Sequence, residues 1–188
     1  MAGNLSDYSG EFDPDIRLDD FDKEALLRLY KAASRCYITI DGIWMSLVRE
    51  KFGDEVAREL ELKVWNWRAL PMEARRICRA LNIEGSDVAT LFKFFQTQPG
   101  FAGLDFDITY ELKDRNHGIC TVKRCLSLEY FERHDDMDTA KYVCEVIDAT
   151  GFQDAAHYFN PDMTAKPLKL PPRRGEDDIA CQWEYRVR

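Results

Sequence analysis

The chain contains no apolar run approaching the roughly 18 residues that a membrane-spanning helix needs, and its first twenty residues are polar and acidic where a secretory leader would be basic and then apolar. A cytoplasmic location and no membrane partner are therefore expected. No Cys-x-x-Cys pair occurs, which removes sequence support for zinc-ribbon and thioredoxin-like chemistry. Gly-x-Ser-x-Gly, Walker-type and Gly-x-Gly-x-x-Gly segments are also missing, so neither a nucleotide cofactor nor a nucleophile-elbow hydrolase is indicated. Only three histidines are present and no two are spaced i, i+4 for a metal. With 26 basic against 34 acidic residues, the net charge of -8 lacks the cationic surplus that neutralises phosphates, and no nucleic-acid partner is expected.

What is present is a chain of 188 residues, 45% apolar and 32% charged, long enough to bury one sizeable core. Its charge is uneven. The first 22 residues carry seven acidic side chains against Arg17 alone, and the remainder is close to neutral. Residues 1–21 read as an acidic, partly disordered arm, with Tyr8, Phe12, Ile16 and Leu18 as anchors should it dock. Residues 22–188 read as a single α+β domain, helical over 22–98, with a sheet and further helices over 101–188.

Periodicity supports that division. Asp22 can cap a first helix through Leu26, Leu29, Tyr30 and Ala33, and a second runs from about Ile38 to Phe52, ending at Gly53. A third helix carries Ala57, Leu60, Val64 and Trp67, a fourth starts near Pro71 and reaches about Asn82, and a fifth follows Gly85-Ser86 through Phe95. After Pro99-Gly100 the apolar period falls to two: Leu104, Phe106, Ile108, Tyr110 and Leu112 alternate with polar residues. This predicts a strand, a five-residue turn over Asp114–Gly118 with His117 facing solvent, and a second strand from Ile119 to about Arg124. A third strand places Cys181, Trp183, Tyr185 and Val187 on one face. Helices fill Leu126–Phe159, and Pro167–Pro172 is too proline-rich for a helix or central strand. The expected architecture is a small antiparallel sheet covered by helices, with the N-terminal helices packed on the sheet or forming a homodimer surface with it.

Six cysteines in such a chain point to reduced thiols. Cys120, Cys125, Cys144 and Cys181 are separated by 5, 19 and 37 residues, and folding can bring them together. Thiolates suit zinc or iron, which makes Cys125, Cys144 and Cys181 the candidate metal ligands, with Glu145 or His157 able to complete a tetrahedral set. Core thiols are the plainer reading, because free cysteine is among the most buried residue types. A strand offset of five puts Cys120 opposite Cys125. Cys144, Glu145 and His157 are the catalytic candidates. The basic groups Arg75, Arg76, Arg79 and Lys166, Lys169, Arg173, Arg174 have the chemistry to hold a small anion, and a solvated face explains the first group equally well.

The segments Ile40-Asp41-Gly42-Ile43-Trp44, Lys51-Phe52-Gly53 and Val64-Trp65 resemble the helical start of an uncharacterised family of bacterial and archaeal cytosolic proteins. The segments Arg124-Cys125, Cys144-Glu145, Phe159-Asn160-Pro161, Pro171-Pro172 and Cys181-Gln182-Trp183-Glu184-Tyr185 resemble its C-terminal half. The order Cys125, Cys144-Glu145, Cys181 is similar, more distantly, to the L-2-amino-thiazoline-4-carboxylate hydrolase family. That likeness implies ring-opening hydrolysis with a cysteine thiolate or metal-bound water as nucleophile. The architecture is also similar to the 4-vinyl reductase type of ligand-binding domain, which implies sensing of small hydrophobic molecules and a cysteine-ligated zinc.

Three functions are thus expected in descending order. The first is a small-molecule-binding or sensing domain with a Cys125, Cys144, Cys181 metal site. The second is a hydrolase acting on a C-N bond of small cyclic or amide substrates, with Glu145 or His157 as general base. The third is an interaction module whose acidic arm recruits a basic partner.

Overall fold

The computed structural model describes residues 3–102, 106–175 and 177–188. The longest helix, α1 (Lys23–Phe52), starts at Asp22, whose carboxylate accepts from the Ala25 amide at 2.7 Å, and ends at Gly53, where φ is 86°. At 30 residues it spans about 45 Å. Sequence periodicity predicts two helices here. They are continuous because nothing between Ser34 and Ile38 breaks the backbone ladder: there is no proline or glycine, and Ser34 is buried.

From Gly53 the chain turns into α2 (Asp54–Leu62), a π-helical stretch (Lys63–Ala69) and α3 (Leu70–Leu81), with no break between them. Pro71 sits in the first turn of α3, where a missing N–H costs nothing. Asn82, at φ 51°, closes α3 in the left-handed conformation that asparagine tolerates. The almost wholly apolar α4 (Val88–Phe95) and the short α5 (Pro99–Ala102) lead into the sheet, and Asp87 caps α4 through the Thr90 amide at 2.8 Å.

Four antiparallel strands form one sheet in the order β1 (Asp107–Asp114), β2 (His117–Arg124), β4 (Cys181–Val187), β3 (Met163–Lys169). The architecture is α+β as expected, with three corrections. The β1–β2 turn is shorter than the five residues expected, because pairing runs on to Asp114 and His117. His117 consequently lies within β2, half-buried, with Nε2 3.0 Å from Glu184 Oε1 rather than in solvent. A fourth strand, β3, also went unread, since its Pro167 argues against any interior strand; β3 is an edge strand, where a missing donor faces outward. The predicted start of the first strand, at Leu104, lies outside the described residues.

Between β2 and β3 come α6 (Leu126–Arg133), α7 (Met137–Tyr142), a second π-helical stretch (Val143–Asp148) and α8 (Ala149–Phe159). The main core joins α4, α8 and the inner sheet face. Phe92 meets Tyr110 at a tilt and Tyr185 edge-on, Phe95 meets Phe152 and Tyr185 edge-on, and Phe152 edges onto Trp183 with ring centroids 4.8 Å apart. Burial of each such ring stabilises the fold by about 2–3 kcal/mol before entropy is counted. Gly118 in β2 is required by this packing: a Cβ there would stand 2.6 Å from the Phe92 ring.

The acidic arm folds back on the start of α1. Leu5 bridges to Phe21, its amide donating to the Asp20 carbonyl at 3.0 Å, and Tyr8 lies edge-on to Phe21. Among the described residues no helix is long and apolar enough to cross a membrane.

Candidate functional site

Within the helical N-terminal region α4 packs on the sheet, as expected, while α1, α2 and α3 lie to one side. The region closes over α6, α8 and the second π-helical stretch and leaves a cavity of about 240 Å³ between them. One part of the wall is aromatic, from Phe94, Phe95, Phe101, Phe106, Phe131 and Phe152.

The polar part comes from two places, each containing a π-helical stretch, a backbone irregularity that recurs at functional sites because it re-aims the side chains following it. The first stretch supplies Trp65 and Asn66; the second supplies Cys144 and Asp148. They meet where Asn66 Nδ2 donates to the Ile147 carbonyl at 3.4 Å. Wider helical turns over Lys63–Ala69 and Val143–Asp148 are not signalled by apolar spacing, so these faces were not separable from ordinary α-helix in the sequence.

Around the first stretch three carboxyl groups converge from three helices: Asp41 of α1, Glu61 of α2 and Glu73 of α3. Trp65 Nε1 donates to both Asp41 Oδ1 at 3.0 Å and Glu61 Oε1 at 3.1 Å, and the Tyr37 hydroxyl donates to Glu73 Oε1 at 2.9 Å. Glu61 is only 6% exposed, and its Oε2 finds no donor among the described residues when both carboxyls are ionised. Burial, then the Asp41 charge, pushes the Glu61 carboxyl up to about 8, and burial raises Asp41 as well. Burial also raises Glu73, against the pull of the Tyr37 hydrogen bond.

Across the cavity, Cys125, Cys144 and Cys181 line one wall with Asp148. The three cysteines singled out in the sequence are thus brought together, from the N-cap of α6, the second π-helical stretch and β4. Cys125 caps α6 by accepting from the Leu128 amide at 3.4 Å. Cys120 lies apart in the main core, buried among rings. Burial pushes Cys125 up to about 11, and burial with the Asp148 charge holds Cys144 and Cys181 higher still, so all three are neutral thiols at pH 7. Asp148 is itself raised by burial to about 7. Among the described residues no three His, Cys, Asp or Glu side chains stand close enough to hold one metal ion.

The other two catalytic candidates stand elsewhere. Glu145 is exposed on an outer groove beside Arg58 and Tyr142, and His157 is exposed on α8, so neither joins Cys144 in the cavity. The basic groups lie outside it as well: Arg75, Arg76 and Arg79 are exposed, Lys169 pairs with Asp178 at 3.0 Å, and Arg173 pairs with Glu132. Sequence reading missed Asp41, Glu61, Glu73 and Asp148. Their available signal was an acid on a helix's apolar face: Glu61 is four residues before Trp65, and Asp148 four after Cys144 and next to the buried Ile147.

No curated protein and no solved structure matches the chain, which leaves the hydrolase and 4-vinyl reductase likenesses as similarities of residue order and architecture. A family model does match, over residues 19–187, and so spans both cavity walls. The uncharacterised family expected from the sequence is therefore identified: the chain belongs to DUF6125, a family of unknown function.

Proposed function

We propose that this protein binds a small molecule in the cavity between its helical N-terminal region and the sheet. The observation that carries the reading is the cavity itself: about 240 Å³, largely aromatic, with a few converging polar groups presented by two π-helical stretches.

The test uses indole as an apolar probe, followed by ligand-observed NMR on the full chain. Ser127 lines the cavity while half-exposed, so Ser127→Phe introduces a ring that fills it without entering the main core. Indole is expected to bind the native protein and to lose at least about tenfold in affinity in Ser127→Phe and in a second plug, Cys144→Phe. Unchanged binding in both variants, each still folded, would remove the reading.

Zinc or iron on Cys125, Cys144 and Cys181 is supported by their sharing one wall and requires the thiols to close up and ionise. A hydrolase built here would draw its base from Asp148 and not from Glu145 or His157, because Asp148 lines the cavity beside Cys144 while Glu145 and His157 are exposed elsewhere. Equal rates for wild type and Cys144→Ala on small cyclic amides would eliminate it. The homodimer reading rests on Ile40, Ile43 and Leu47, which leave an apolar stripe on α1 exposed at 66%, 55% and 59%. A second copy packed along α1 would cover that stripe. Sedimentation is expected to give a dimer that Ile43→Asp dissociates, and a monomer at tens of micromolar would count against it.

A further inference from the structure

We propose that the end of the cavity bounded by Asp41, Glu61 and Glu73 receives the cationic head of a small organic base, an ammonium or amidinium carried on an apolar body; this deepens the small-molecule reading and rests on it. Three observations carry the inference. First, carboxyl groups from α1, α2 and α3 line one end of the cavity, while no Lys, Arg or His among the described residues lines it. Carboxylates are buried in proteins when something of opposite charge pairs with them, and here the donors seen among the described residues are neutral, Trp65 Nε1 and the Tyr37 hydroxyl.

Second, Glu61 is more than nine-tenths buried and its Oε2 has no donor of its own among the described residues. An ammonium or amidinium N–H placed there supplies that donor and offsets one negative charge of the Asp41–Glu61 pair. Third, no three acidic, thiol or imidazole groups among the described residues are close enough to ligate one metal ion. Phe95, Phe101 and Phe152 offer the apolar surface for the body of such a base.

The experiment compares charge-matched pairs on the full-length protein by titration calorimetry: benzamidinium against benzamide, and phenethylammonium against 2-phenylethanol. The cation of each pair is expected to bind at least tenfold tighter than its neutral partner. Glu61→Gln is expected to remove that preference while changing affinity for benzamide and 2-phenylethanol less than twofold. Asp41→Asn serves as the second variant should Glu61→Gln not fold, and the exposed Glu145→Gln is expected to leave every affinity unchanged. Equal affinities within each pair, with binding still blocked by Ser127→Phe, would overturn the cation proposal and leave the cavity reading standing. A preference surviving both Glu61→Gln and Asp41→Asn would overturn the assignment to this end of the cavity. Absence of binding by either member of either pair at millimolar concentration would overturn both.

Discussion

Between pH 5 and pH 8 the free energy of unfolding is expected to fall by up to about 6 kcal/mol, in the same direction as the growing self-repulsion of a chain whose net charge is already -8. The cause lies in the cavity. Burial raises Glu61 from an ordinary 4.5 to about 8 and Asp148 from 3.8 to about 7, while both titrate near their ordinary values once the chain unfolds. Across that window the folded protein holds protons that the unfolded chain has released. Stability therefore falls as pH rises, with a limiting slope of about 1.4 kcal/mol per pH unit for each proton. Asp41 and Glu73 are raised in the same direction by the same burial.

Below about pH 4 the opposite set takes over. Arg124 holds Glu129 below the usual carboxylate range and Arg186 does the same to Glu184, so their contribution is lost as they protonate. Chemical denaturation at half-unit intervals is expected to give a maximum near pH 5. The double variant Glu61→Gln, Asp148→Asn is expected to flatten the alkaline limb. A limb that is flat in the native protein, or that rises toward pH 8, would mean the two carboxyls are not held protonated by their surroundings.

The second large effect concerns the thiols. In the native protein at pH 8 only the exposed Cys36 is expected to react rapidly with an aromatic disulfide reagent, and all six cysteines only after unfolding. A rise from the ordinary 9.0 to about 11 lowers the Cys125 thiolate fraction by about 100-fold, and Cys144 and Cys181 are held higher again by burial and by Asp148. Limited access through the cavity adds to this. Three or more fast thiols would overturn the picture of a neutral sulfur wall. Elemental analysis of protein purified without chelator completes the experiment: about one zinc or iron per chain, lost in Cys181→Ser, would show that a metal draws these thiols into the thiolate form.

How far the sequence carried depended on whether a signal was local. Alternation at Ile108, Tyr110 and Leu112 and again at Cys181, Trp183 and Tyr185 gave β1 and β4, because a half-buried strand must alternate wherever it sits. Edge position is not local. Pro167 reads as a strand breaker until β4 occupies one side and solvent the other, which is why β3 was legible only in the sheet. The length of α1 was a similar case, since two amphipathic faces in register are one helix only when nothing interrupts the ladder.

The site divides along the same line. Cysteine is rare and chemically distinct, so Cys125, Cys144 and Cys181 stood out, and they do share a wall. Glutamate and aspartate are common on helices, and Asp41, Glu61, Glu73 and Asp148 differ from the exposed Glu145 only in which way the backbone turns them. Two π-helical stretches and the closure of three helices beside the sheet decide that.

By itself the amino-acid order determined the α+β class, most of the elements, their core faces and the three cysteines, all of which follow from periodicity and residue chemistry within a few turns of chain. The tertiary structure alone decided that α1, α2 and α3 close beside the sheet around a cavity, and which acids are buried in it. Desolvation and the pairing of charges are properties of a place in space, and residues as far apart as Asp41 and Asp148 acquire them only when the chain has closed around them.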